Sequence, residues 1–117
     1  MRQIPTKPIA ALLAGLCLTL PVAASAQSQM AVLDYTCADA RRLSVAFINA
    51  GDGSFAVLQD GGRLVTLEIA PSGSGARYLS DDGRMELFTK GNAATASLIG
   101  DEDIPLYRDC DGVAQAR

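Results

Sequence analysis

The stretch Ser72-Gly73-Ser74-Gly75-Ala76-Arg77-Tyr78 sets two hydroxyls among glycines, and Lys90-Gly91 follows twelve residues after Tyr78. Nucleophilic catalysis needs a serine beside a base, and the chain has no histidine to serve as one. Gly73-Ser74-Gly75 also falls short of the Gly-x-Ser-x-Gly elbow. Lys90 is the remaining base, but a lysine must be desolvated to act as one, and Thr89-Lys90-Gly91 ends a strand-like run at a turn. A glycine-rich phosphate cradle leads into a helix, whereas residues 71–75 lead into a strand-like segment. Small hydroxyls between glycines, with one lysine nearby, better suit a surface that enters another molecule's cleft. The reading is an inhibitory or binding loop on a protein that is not an enzyme. On residue types alone, a plain hairpin connection stays open beside it.

Other clusters carry less. Asp81-Asp82 and Asp101-Glu102-Asp103 lack the alternating spacing and closing glutamate of a calcium loop, and read as solvated turns. Two cysteines without histidine fall short of four-coordinate zinc, so no metal and no cofactor is expected.

The elements that must position the loop are short. Glycine and aspartate turn signals recur at 51–53, 60–62, 71–75, 81–83, 91–92 and 100–101. Between them lie runs of strand length at 32–37, 43–49, 55–59, 63–69, 77–80, 85–90, 94–99 and 104–110. Leu43, Val45 and Phe47 alternate with Arg42, Ser44 and Ala46, and Val65, Leu67 and Ile69 alternate with Thr66 and Glu68. Such alternation marks strands with one buried face. One helical turn is expected at 38–43, near Asp39. The fold class is all-β, an antiparallel barrel or sandwich of eight strands; a closed barrel is preferred because closure removes exposed edges.

Residues 1–26 read as a signal peptide and 27–117 as one domain. Arg2 and Lys7 precede an apolar run of about a dozen residues, Pro21 breaks it, and Ala24-Ser25-Ala26 supplies the small-x-small cleavage pattern. The run is too short to span a bilayer, so no stable membrane insertion is expected. Cys17 invites a lipoprotein reading, but Leu16 stands where a lipobox needs a small residue, so a soluble exported protein is preferred. Removing 26 of 117 residues takes two of the ten basic side chains and none of the thirteen acidic ones. Eight basic against thirteen acidic residues leave a mature charge of −5, which argues against nucleic acid and anionic membrane as partners. Cys37 and Cys110 stand near the two ends of the mature domain, and in an exported chain this small such a pair reads as a disulfide.

Five pieces occur in order: Tyr35-Thr36-Cys37, Val45-Ala46-Phe47, Ser74-Gly75-Ala76-Arg77-Tyr78, Lys90-Gly91 with Ala94 following, and Cys110. Together they resemble the MliC/PliC family of periplasmic inhibitors of c-type lysozyme, over nearly all of the mature chain. The resemblance implies an eight-stranded antiparallel barrel with a terminal disulfide and a loop that enters the lysozyme active-site cleft. On matching positions, Ser74 is the hydroxyl that reaches the catalytic carboxylates and Lys90 the cation that pairs with them. Ser72 lies near enough to leave the choice between the serines open. Gly75 lets the backbone fit between the cleft walls, Tyr78 supports the loop from beneath, and Arg77 faces either the partner or the loop's own backbone. One departure is Leu87-Phe88 before Lys90-Gly91, where family members often carry Phe-Trp; the chain has no tryptophan. The lack of a lipobox points to the soluble periplasmic branch. A function from another class shares the fold and export signal: a periplasmic barrel that binds envelope glycan or an envelope protein and makes no use of Lys90.

Overall fold

Period-two alternation becomes eight strands that each turn one face inward. They are β1 (Gln29–Thr36), β2 (Arg42–Ala50), β3 (Gly53–Asp60), β4 (Arg63–Ala70), β5 (Ala76–Ser80), β6 (Met85–Lys90), β7 (Ala93–Leu98) and β8 (Ile104–Ala114). The structure, a computed structural model, describes residues 28–115 together with Gln3 and residues 15–18. The expected cleavage site at 24–26 lies outside these residues. Cys17 is exposed and takes no part in a disulfide. Among the described residues no helix is long and apolar enough to cross a membrane.

Each strand pairs antiparallel with the next, and β1 pairs with β8 from Leu33↔Ala114 to Thr36↔Asp111, closing an up-and-down barrel. Closure pairs the first strand with the last, so neither is left as a fully open sheet edge. Tyr35, Leu43, Val45, Leu58 and Leu87 are fully buried inside, with Leu67, Met85, Ala96 and Tyr107 around them. Each large apolar side chain so buried stabilises by about 1.5–3 kcal/mol relative to exposure. The expected inward rows hold at Leu43, Val45 and Leu67, while Ile69, near the barrel rim, remains 41% exposed.

Cys37 and Cys110 form the disulfide across a separation of 73 residues. In the chain-entropy account a loop of that length stabilises by about 4 kcal/mol. The expected helical turn is a single 3₁₀ turn, Ala38–Ala40.

β8 departs most from the alternation read in the sequence, running to Ala114 past its expected end at 110. Between Ala94↔Cys110 and Ala96↔Tyr107, two residues of β8, Arg108 and Asp109, oppose the single Thr95 of β7. Asp109 absorbs the extra residue by taking a left-handed φ of 53°. The strand then resumes, and Gly112 lies against the Tyr35 ring, where a Cβ would stand 2.5 Å from Cε1.

In this topology the β2–β3, β4–β5 and β6–β7 connections share one end of the barrel. Residues 71–75 and Lys90-Gly91 are therefore carried to the same end.

Candidate functional site

The loop of residues 71–75 joins β4 to β5, and its last residue fixes where it sits. Gly75 has φ +69°, and a Cβ there would stand 2.5 Å from the Thr89 carbonyl oxygen, 3.0 Å from Phe88 Cζ and 3.4 Å from Lys90 Cβ. Only a residue without a side chain lets the loop lie this close to the end of β6. The loop is thereby seated beside Lys90.

Lys90 closes β6 and pairs with Ala93 across the two-residue turn Gly91-Asn92. The Gly112 N–H donates to the Asn92 carbonyl (2.8 Å), tying this turn to β8. The lysine side chain is exposed and forms no ion pair among the described residues. Within the loop the Ser72 hydroxyl donates to the Ser74 carbonyl oxygen at 2.8 Å, a local side-chain-to-backbone bond that folds the tip. The Ser74 hydroxyl has no hydrogen-bond partner among the described residues, and Ser74 is exposed.

Arg77 and Tyr78 stand apart from this tip. Arg77 Nε donates to Glu86 Oε2 at 2.6 Å, linking β5 to β6 on the outer wall. The guanidinium is engaged by a neighbouring strand and forms no hydrogen bond to the loop backbone among the described residues. Tyr78 points into the barrel, its ring centroid 5.7 Å from that of Phe47 in a tilted arrangement. Burial pushes the Tyr78 hydroxyl above the usual tyrosine range, and burial together with the nearby Tyr78 does the same for Tyr35. Both hydroxyls are therefore neutral at neutral pH.

Ser72, Ser74, Gly75 and Lys90 are thus gathered at one rim, with Arg77 on the wall and Tyr78 in the core. Sequence reasoning passed over a shallow groove of about 290 Å³ that runs beside Lys90. It is lined by Phe88, Lys90, Ala93, Thr95 and Asp109, among others. Short outward side chains on β7 between longer ones on β6 and β8 form it, a pattern visible only once the strands are in register. Among the described residues no group of three or more His, Cys, Asp or Glu is placed to hold a metal ion.

The chain is thus a disulfide-closed eight-stranded barrel with a glycine-seated hydroxyl loop and an exposed lysine at one rim. The chain belongs to the family described as MliC, membrane-bound lysozyme-inhibitor of c-type lysozyme, whose sequence model matches residues 35–104. Over 71 residues it is 39% identical to the membrane-bound lysozyme inhibitor of C-type lysozyme of Pseudomonas aeruginosa, covering 59% of this chain and 52% of that protein. The chain so spans about half the length of this curated relative. Among solved structures it is similar to PliC-St, the periplasmic lysozyme inhibitor of C-type lysozyme from Salmonella typhimurium, with a TM-score of 0.65 and 25% identity. That match covers 73% of this chain and 99% of the other. It is also similar to Pseudomonas aeruginosa MliC in complex with hen egg white lysozyme, with a TM-score of 0.58 and 26% identity over 96% of this chain and 100% of that one.

Proposed function

We propose that the protein is an exported periplasmic inhibitor of c-type lysozyme that acts by occupying the enzyme's cleft, without turnover of its own. The observation that carries this reading is the seating of Gly75 against β6. It brings a hydroxyl without a partner among the described residues, and the only lysine of the mature domain, to one rim of the barrel. Family membership supplies the target class.

The residue types fit that target. A retaining glycosidase holds an acid and a carboxylate about 5 Å apart across its cleft. The Ser74 hydroxyl both donates and accepts, so it bridges such a pair where sugar or water would otherwise sit. The Lys90 ammonium adds a charge-assisted bond in a desolvated groove. Ser72 shapes the loop, Arg77 braces β5 on β6, and Tyr78 holds the floor, so these three act indirectly. The acidic mature domain favours encounter with a basic enzyme in a salt-dependent way.

The test is titration of the oxidised protein into hen egg white lysozyme while the enzyme clears a suspension of susceptible cells. Near-stoichiometric inhibition is expected, and Lys90→Ala weakens it by roughly ten- to a hundredfold, the worth of one charge-assisted contact. A Lys90→Ala variant as potent as the parent removes the lysine from the mechanism. Binding to purified peptidoglycan with no effect on lysozyme replaces the reading with that of a glycan-binding barrel.

A further inference from the structure

The groove beside Lys90 plays no part in the insertion described above, although it is continuous with that rim. Phe88 joins the two: its ring lies against Gly75 under the loop and also lines the groove. In register, Phe88 pairs with Thr95 and Lys90 with Ala93, so the short side chains of β7 form the floor. On the far side the β8 bulge sets Arg108 and Asp109 opposite Thr95.

Asp109 is the informative residue. Its left-handed backbone (φ 53°) is disfavoured for a residue with a Cβ. Asparagine and glycine meet the same backbone need at least as well, so the bulge does not account for a carboxylate there. The side chain is 79% exposed, and its one ion pair among the described residues sets Oδ2 3.3 Å from Arg108 Nη1, with Arg108 shared at 3.1 Å with Asp39. Oδ1 has no partner among the described residues. An exposed, long pair of this kind holds its members weakly.

We propose that this groove is a second contact of the same interface, and that it receives an arginine side chain from the wall of the partner enzyme's cleft. The proposal rests on the inhibitor reading. An arginine laid along β7 sets its aliphatic stem on Ala93 and Thr95 and its planar guanidinium between the Phe88 ring and the Asp109 carboxylate. Lys90 on the near rim repels the cation toward Asp109, which fixes the direction in which the side chain lies. Arginine suits the site better than lysine, because a flat fork matches both a ring face and a carboxylate. An anion-bearing wall is disfavoured by the −5 charge of the mature domain.

The experiment measures binding of the oxidised full-length protein to hen egg white lysozyme by titration calorimetry at low and high salt, with thermal unfolding as the folding control. Asp109→Asn keeps the size and tolerates the left-handed backbone, so it removes only the charge. It is expected to weaken binding by about three- to tenfold at low salt, with the difference shrinking as salt rises. Thr95→Trp fills the groove from the outer face and is expected to weaken binding at least tenfold. Asp109→Asn and Thr95→Trp that bind as the parent does, while Lys90→Ala does not, overturn the groove and leave the loop reading standing. If the groove variants weaken binding and Lys90→Ala does not, the groove stands and the lysine assignment falls. A parent protein that does not bind lysozyme overturns both.

Discussion

Ser72 and Ser74 are the same residue type two positions apart, yet the fold leaves their hydroxyls in different surroundings. Ser72 spends its proton on the Ser74 carbonyl, while the Ser74 hydroxyl has no partner among the described residues. The two alanine variants should therefore part company. Ser74→Ala is expected to weaken lysozyme inhibition by roughly ten- to a hundredfold, with unfolding free energy within about 0.5 kcal/mol of the parent, as befits an exposed site. Ser72→Ala removes one internal bond worth about 0.5–1.5 kcal/mol, so it loosens the tip before it touches affinity. Amide hydrogen exchange at 73–75 reads that loosening, and inhibition assays on both variants read the contrast. Equal losses from both would mean that loop shape, and not a particular hydroxyl, is what the partner recognises. The sequence offered both serines, and the family resemblance favoured Ser74 without securing the choice. An i to i+2 side-chain bond depends on how the loop folds over, and composition does not encode that.

At the scale of elements, Gly75 decides whether the loop and β6 act as one piece. An added Cβ meets a backbone oxygen, not a yielding side chain, in a left-handed conformation. Gly75→Ala is expected to destabilise the protein by about 1–3 kcal/mol and to abolish inhibition at concentrations where the parent is saturating. Thermal unfolding with the clearing assay checks it. A variant that inhibits normally would show that the loop need not be seated beside Lys90. The strands themselves were legible. All eight runs found from alternation and turn signals became strands, because each buries one face of a closed sheet and the period survives in the sequence. The end of β8 was not legible. Asp109 and Asp111-Gly112 carry turn chemistry; Asp109 is absorbed as a bulge, and pairing with β7 and β1 keeps Asp111-Gly112 in the strand. The groove was hidden for the same reason: it is a product of β7–β8 register, and Thr95 has no local feature that announces a bulge opposite it.

The whole molecule is held shut at more than the seam between its first and last strands. Tyr107 of β8 donates to Asp60 Oδ1 at 2.8 Å, reaching from the last strand to the end of β3. Arg63 Nη2 lies 3.0 Å from Asp60 Oδ2, and the Arg41 guanidinium stacks 4.3 Å over the Tyr107 ring. This strut stands at the end opposite Lys90, so it bears on stability without touching the rim proposed to bind. The tyrosine hydroxyl first, and Arg63 second, hold the Asp60 carboxyl below the ordinary carboxylate range. Burial first, then the bond to Asp60, pushes the Tyr107 hydroxyl up, so it stays a protonated donor at neutral pH. The sign of the pH dependence follows. A carboxyl with a depressed folded pKa adds stability that is complete above its unfolded value of about 3.9 and is lost as pH falls through the folded value. Tyr107→Phe removes the donor and keeps the ring under Arg41. It is expected to lower unfolding free energy by about 1–2 kcal/mol near pH 7, with the deficit shrinking below about pH 4 as Asp60 takes up a proton in the parent. Urea unfolding of both proteins at neutral pH and near pH 2.5, with the disulfide intact, measures it. A deficit that stays constant across that range would mean the hydroxyl stabilises the barrel by packing, independent of the Asp60 charge. Lysozyme inhibition by Tyr107→Phe at neutral pH should match the parent, because the strut and the proposed binding rim occupy opposite ends of the barrel.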